Sequence, residues 1–226
     1  MRDLPDLHAR LLADVIALGA PYPLVLTGGY AVRAHRLVSR PSQDLDVATE
    51  NPAPMADIAA AVRDGLVERG WRVQSLETAP LSARFTVSDP ATGQECEVDI
   101  LKEIFWNPIA HTAYGPVLSE EDVIGTKVRA LADRGAPRDL IDVFAASRRW
   151  TTSDLEEFGR RHSRGRFEKE DLQANLAGAE WTDDDAFTAY GLDDTAIAAL
   201  RAWAVRWADD LAARLHEDEA DQADPD

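Results

Sequence analysis

Hydrophobic positions recur at helical spacing in "LHARLLADVIAL", and the pattern then tightens into "PLVLTGG", a short apolar run closed by two glycines. "YAVRAHRLV" returns to helical spacing, and "DLDVAT" alternates polar and apolar residues as a strand does. The order is strand, helix, strand. "PMADIAAAVRDGLVERG" is amphipathic, opens at a proline and stops at Gly70, which predicts a helix. "WRVQSLE", "ARFTVSD" and "CEVDILKE" predict three strands, the last two joined through the turn residues of "DPATGQ". From Ser119 onward the pattern is almost wholly helical, with "SEEDVIGTKVRALADRG" opening on a serine cap and acids, and "PRDLIDVFAASRR" starting at Pro137. "TSDLEEFGRRHS", "FEKEDLQANLAG" and the long "DDTAIAALRAWAVRWADDLAARLHEDE" follow, with no internal repeat. The expected organisation is α/β of the α+β kind. A mixed sheet with flanking helices occupies 1–118, an all-helical domain 119–216, and an acidic tail, expected to be disordered, 217–226.

Composition narrows the class without changing that outline. A chain of 226 residues with 45% hydrophobic and 29% charged residues is globular, and no apolar run approaches the roughly 18 residues of a membrane span. The amino terminus has acids and a histidine where a signal peptide would have a basic start and an unbroken apolar centre. With Cys96 alone, no disulfide can form within the chain, so a soluble protein of the reducing cytoplasm is expected. The net charge of -17 disfavours broad non-specific binding to nucleic acid, yet "RAHRLVSR" and "FGRRHSRGRFEK" are local basic runs that can meet phosphates.

The chemistry concentrates in "LTGGYAVRAHRLVSRPSQDLDVAT". Strand alternation puts Asp44 and Asp46 on one face, with Leu45 and Val47 on the other. Paired hard oxygen ligands suit Mg²⁺, which takes one or two carboxylates together with substrate phosphates. Gly28 and Gly29 leave room for an anion to approach backbone amides where a helix opens. In "ECEVDIL", Glu95, Glu97 and Asp99 share a strand face, and Asp99, or alternatively Glu97, supplies a third carboxylate. Three carboxylates around two Mg²⁺ ions could deprotonate an attacking hydroxyl and stabilise a pyrophosphate leaving group. Lys127 and Arg134 lie two turns apart on one helix, and Asp139 and Asp142 share a face of the next. Taken singly, each of these features is also what a solvated strand start or a surface ion pair looks like.

In this order the residues resemble the AbiEii/AbiGii-type nucleotidyltransferases, a branch of the DNA polymerase β-like nucleotidyltransferase superfamily that includes the MenT-type toxins. The resemblance rests on Gly28-Gly29 followed by "RPSQDLD", on "KVRAL" with Arg134, on "RDLIDVF", and on Asp99-Ile100, together spanning roughly 24–146. It implies a nucleotidyltransferase fold in which Asp44, Asp46 and Asp99 hold metal. Gly28, Gly29, Arg40, Ser42, Lys127 and Arg134 would meet the nucleoside triphosphate, and Asp139 would be needed for activity. It further implies transfer of NMP to an acceptor hydroxyl, a tRNA 3′ end foremost, and an antitoxin partner. Tyr30 departs from the superfamily, many of whose members carry serine after a single glycine.

Rival classes fit less well. A P-loop lacks its G-K-[ST] here, a sugar transferase would need a nucleotide-binding half before its D-x-D, and a haloacid-dehalogenase-type aspartate would end the strand that here ends in glycines. Protein or small-molecule nucleotidyl transfer remains an alternative. So does a non-catalytic binding module, with Trp150, Trp181, Trp203 and Trp207 as anchors if they are not core.

Overall fold

A computed structural model of the chain describes residues 4–40 and 42–223, with side chains described as far as residue 217. Two compact units part between Val123 and Ile124. The sequence places the change at Ser119, one helical turn earlier.

The first unit opens with helix α1 (Asp6–Leu18), which buries Leu7, Leu11, Leu12 and Val15. Strand β1 (Val25–Leu26) leads into helix α2 (Gly28–Ala34), and β2 (Leu45–Thr49) follows. The apolar run is thus a strand of two residues, and the glycines are the first residues of the helix rather than the end of the strand. Helix α3 (Met55–Glu68) begins after Pro54, as its sequence predicts. Strands β3 (Arg72–Ala79), β4 (Ser82–Ser88) and β5 (Glu95–Lys102) match the three predicted strands. A further hairpin, β6 (Ala110–Thr112) and β7 (Gly115–Val117), escapes prediction because three-residue strands carry no period.

All seven strands form one mixed sheet in the order β3-β4-β5-β2-β1-β7-β6. Strand β2 runs parallel to β5 and antiparallel to β1, with Asp46 beside Asp99 and Leu26 beside Val47. Antiparallel β4 places Arg84 beside Asp99. Cys96, Val98 and Ile100 enter the core with Val47, Leu45, Tyr30 and Leu11, while Glu95 and Glu97 stay exposed.

Helix α4 (Glu120–Arg134) starts where Ser119 Oγ accepts the Asp122 N–H at 3.0 Å, the expected cap. Helix α5 (Pro137–Ala146) has its proline in the first turn, where a missing N–H costs nothing. Helix α6 (Thr152–His162) is closed by a reciprocal Thr151–Asp154 capping box. Helix α7 (Lys169–Ala177), a 3₁₀ turn (Gly178–Glu180), the short α8 (Asp184–Thr188) and the long α9 (Asp194–Ala223) complete the second unit. Its buried side chains include Leu131, Val143, Leu155, Leu176, Phe187, Leu200 and Trp207. Of the four tryptophans weighed as anchors, Trp207 is core, Trp203 packs at a tilt against Trp207 and Phe144, and Trp150 packs edge-on to Phe158, leaving Trp181 exposed.

The acidic tail departs from expectation: the helix continues to Ala223, and only 224–226 lie outside the described residues. Adding glutamate, alanine and glutamine to a helix already formed avoids the cost of nucleation. Among the described residues no helix is long and apolar enough to cross a membrane.

Candidate active site

The segment from Thr27 to Asp46 closes on itself. Thr27 donates its N–H to the Asp46 carbonyl at 2.9 Å, so the start of α2 lies against the strand that carries the aspartate. Gly28 has φ of +63°, and a Cβ there would stand 1.8 Å from Asp46 Oδ2. A Cβ on Gly29 would meet Ser42 Oγ at 2.5 Å and an Arg40 guanidinium nitrogen at 3.7 Å. Two glycines therefore let the helix start seat directly among Asp46, Ser42 and Arg40, which brings these residues of the motif into one cradle.

Tyr30 has a physical role in that cradle. Its ring is buried, its hydroxyl donates to the Ser42 carbonyl at 3.0 Å, and that same oxygen pairs with His8 Nδ1. Because the phenol proton goes to Ser42, the His8 ring supplies the proton of its own bond. Burial, reinforced by neighbouring negative groups that include Asp44, holds the Tyr30 phenol up at about 12, so it remains a donor. His8 is shifted below its ordinary 6.5 by burial, which outweighs the opposing pull of Asp44. The pair ties α1 and α2 to the backbone two residues ahead of Asp44.

Asp44 lies one residue before β2, and Asp46 lies within it. Both act on one thiol: burial first, then Asp44 and Asp46, push Cys96 up to about 12. Asp99 sits beside Asp46, but its carboxylate is held by Arg84, Nε to Oδ1 at 2.7 Å and Nη2 to Oδ2 at 2.8 Å. This bidentate bond was not anticipated from the sequence. Among the described residues no group of three or more His, Cys, Asp or Glu side chains stands where it could hold one metal ion. The three carboxylates expected to share metal are thus not gathered as a three-ligand cluster. Like charges on adjacent strands repel, and Arg84 supplies the cation that steadies the third.

The second unit assembles its own charged group. Lys127 and Arg134 of α4 meet Asp139 and Asp142 of α5: Lys127 Nζ is 3.2 Å from Asp139 Oδ1 and 3.0 Å from Asp142 Oδ2, and Arg134 Nη2 is 2.7 Å from Asp139 Oδ2. Both aspartates are fully buried, at 0% exposure, and an unpaired charge there would be costly, which the ion pairs with Lys127 and Arg134 offset. Lys127, Arg134 and Asp139 are therefore brought together. Asp142 joins them, and the Lys127 ammonium is shared between two carboxylates.

A family model described as nucleotidyl transferase AbiEii toxin, of a type IV toxin–antitoxin system, matches residues 10–220. The chain belongs to the AbiEii family. Among solved structures the AbiEii fold seen here is similar to MenT4, a nucleotidyltransferase toxin from Mycobacterium tuberculosis, with TM-score 0.60 and 20% identity over 91% of this chain and 83% of that one. It is similar also to JHP933 from Helicobacter pylori, with TM-score 0.53 and 17% identity over 97% of this chain and 99% of the other. A putative nucleotidyltransferase from the same organism gives TM-score 0.55 at 16% identity, covering 95% and 98%. No curated protein matches in sequence. The fold is that of the nucleotidyltransferases, and this AbiEii chain is a nucleotidyltransferase.

The family chemistry needs a nucleoside triphosphate and a divalent cation, and the donors present fit one. Asp44 and Asp46 offer hard carboxylate oxygens of the kind such a cation takes, and triphosphate oxygens would supply the remaining positions. Of the residues missed from sequence, Arg84 was legible in principle. With Ser88 opposite Glu95 across the turn, each step back along β4 is a step forward along β5, and Arg84 falls opposite Asp99. His8 gave no signal, since a histidine in an amphipathic helix looks like any half-buried position.

Proposed function

We propose that the chain moves NMP from an NTP to an acceptor hydroxyl in a Mg²⁺-dependent reaction, with a tRNA 3′ end as the favoured acceptor. In this reading it is the cytoplasmic toxin of a two-component pair whose antitoxin silences it. The observation that supports this best is the cradle in which Gly28 and Gly29 admit Asp46, Ser42 and Arg40 to the start of α2. The acceptor oxygen attacks the α-phosphorus, a new P–O bond forms, and the bond to pyrophosphate breaks. A divalent cation, when bound, supplies charge neutralisation at the phosphates and lowers the pKa of the attacking hydroxyl.

The chain's own residues do the rest. Asp44 and Asp46 hold the cation, and Tyr30 fixes the backbone just ahead of them. Arg40 and Ser42 meet phosphate oxygens beside Gly28 and Gly29. Asp99 receives the hydroxyl proton, which requires Arg84 to release at least one of its two oxygens. Lys127 contacts the triphosphate by exchanging one of its two carboxylate partners for a phosphate, and Asp139 keeps it aligned.

Incubation with α-labelled NTPs, Mg²⁺ and deacylated tRNA tests the proposal. Label on RNA with wild type and none with Asp46→Ala is the expected result. Equal labelling by the variant overturns the metal assignment. Label on protein or a small molecule alone moves the acceptor to those alternatives, and intact NTP binding with no labelled acceptor favours a non-catalytic module.

A further inference from the structure

The basic run "RAHRLVSR" is used by the proposed chemistry only through its last residue, Arg40. Its earlier residues, from Arg33 to Ser39, line an open cleft of about 850 Å³ in the first unit, whose other wall is the β6–β7 hairpin with His111 and Tyr114. Among the described residues lining it none is acidic, in a chain with 41 Asp and Glu against 24 Lys and Arg. A cationic cleft on so anionic a molecule is a local exception that the net charge works against.

Arg36 sharpens the point. Helix α2 ends in a Schellman motif: Leu37 donates its N–H to the Val32 carbonyl at 3.2 Å and Arg36 donates to the Arg33 carbonyl at 2.8 Å. The residue between cap and exit adopts the left-handed conformation, which is why glycine is usual there, yet this chain has Arg36 at φ of 60°. Among the described residues it is the one non-glycine with positive φ, and its side chain is exposed. Folding alone favours glycine at this position, so the side chain answers to something else. Arg33, in the last turn, also complements the negative end of the helix. His35 is committed elsewhere, bonded through Nε2 to the Leu118 carbonyl at 2.8 Å.

The cleft stands in a definite relation to the carboxylates. Helix α2 begins against Asp46, and Arg33 lies five residues further on, about 8 Å along the axis at 1.5 Å per residue. That is about two stacked nucleotides at the ~3.4 Å rise of one strand. Guanidinium groups beside an aromatic ring, here Tyr114, are what a flexible strand needs: charge for its phosphates and a face for a base. A docked protein would call for an apolar centre with few charges, whereas the exposed members of this cleft are Arg36, Ser39, His111 and Ala113, none of them a large apolar side chain.

We propose that this cleft binds the phosphodiester backbone of a single-stranded nucleic-acid segment just upstream of the acceptor hydroxyl, with Arg36 and Arg33 as its phosphate contacts. The proposal rests on nucleotidyl transfer to a nucleic acid. Fluorescence anisotropy with a labelled ten-nucleotide RNA, the same sequence as DNA, and labelled poly-glutamate tests it on the full chain and on Arg36→Gly and Arg33→Gln. Arg36→Gly is informative because relief of the left-handed strain leaves the fold intact or raises its melting temperature. Each variant is expected to weaken RNA binding about fivefold or more and to lower the salt slope by about one. Calorimetric binding of Mg²⁺–ATP should be unchanged. RNA bound with DNA equally well assigns the contact to phosphates alone, and RNA bound better adds the 2′-hydroxyl; both support the proposal. Equal RNA binding by wild type and both variants overturns it, as does poly-glutamate binding, lost in Arg36→Gly, without RNA binding. Undiminished NMP transfer to RNA by both Arg36→Gly and Arg33→Gln would overturn the cleft assignment while leaving nucleotidyl transfer standing.

Discussion

Gly28 is fixed by two separate demands, a left-handed backbone and the absence of any atom where Asp46 Oδ2 sits. Gly70 shares the first demand, with φ of +90°, but has nothing within 4 Å of its missing Cβ. Alanine at each position separates strain from collision. Gly70→Ala should cost about 1 kcal/mol in urea unfolding and leave NMP transfer intact, whereas Gly28→Ala should cost more than that and abolish transfer. Arg84 invites a test of a different kind. With its side chain half exposed, the ion pair to Asp99 contributes little to stability, about 0.5 kcal/mol. Its charge, however, stands one strand away from Asp46, which is proposed to hold a cation. Arg84→Gln is expected to tighten Mn²⁺ binding about three- to tenfold by calorimetry with the metal alone. Unchanged or weaker binding would mean that Arg84 aligns Asp99 and does not oppose the cation.

At the scale of elements, helices α4 and α5 are joined by charge. Lys127→Met would remove the cation that the buried Asp139 and Asp142 share, and should lower unfolding stability by about 3–5 kcal/mol. A loss below 1 kcal/mol would show that the two carboxylates find other compensation. The contact of α1 with α2 through His8 and Tyr30 depends on pH. Because the folded His8 binds its proton less readily than the unfolded residue, its contribution is fully present above pH 6.5 and is lost as pH falls below it. His8→Gln should flatten that part of a stability-versus-pH curve, and wild-type stability that is level from pH 7 to 5 would contradict the assignment. These elements also mark what a sequence can disclose. Period-two alternation located β5 and its acids, and proline, serine and glycine punctuation located α3, α4 and α5, because such signals are local. The hairpin of β6 and β7 has strands too short for a period, and the Arg84–Asp99 bond depends on pairing register. His8 with Tyr30 joins residues 22 positions apart that no spacing rule relates. The motif residues of α2 and β2 were legible as a set, while the reason for Tyr30 was visible only in three dimensions.

For the whole molecule, a net charge of -17 means that the folded chain repels itself. Raising ionic strength from 0.05 to 0.5 M shortens the screening length to a few Å, so the melting temperature should rise with salt even as any strand bound in the basic cleft is released. A melting temperature that falls with salt would show that ion pairs such as Arg84–Asp99 and Lys127–Asp142 outweigh the general repulsion. Fold class was the most legible property at this scale, since an alternating first half followed by a helical second half allows few architectures.

The chain's single thiol has a practical consequence. Cys96 is buried and pushed up to about 12, so it is a poor nucleophile while β5 stays in the sheet. Alkylation under native conditions should therefore proceed only through transient opening of the strand that carries Asp99. Its rate, followed by mass spectrometry, becomes a label-free clock for that opening. Occupancy of the carboxylates by a cation and NTP should slow the clock, and a substitution that loosens β5 should quicken it. Because no second thiol competes, a cysteine placed at exposed Ala113 on the cleft wall would accept a fluorophore alone.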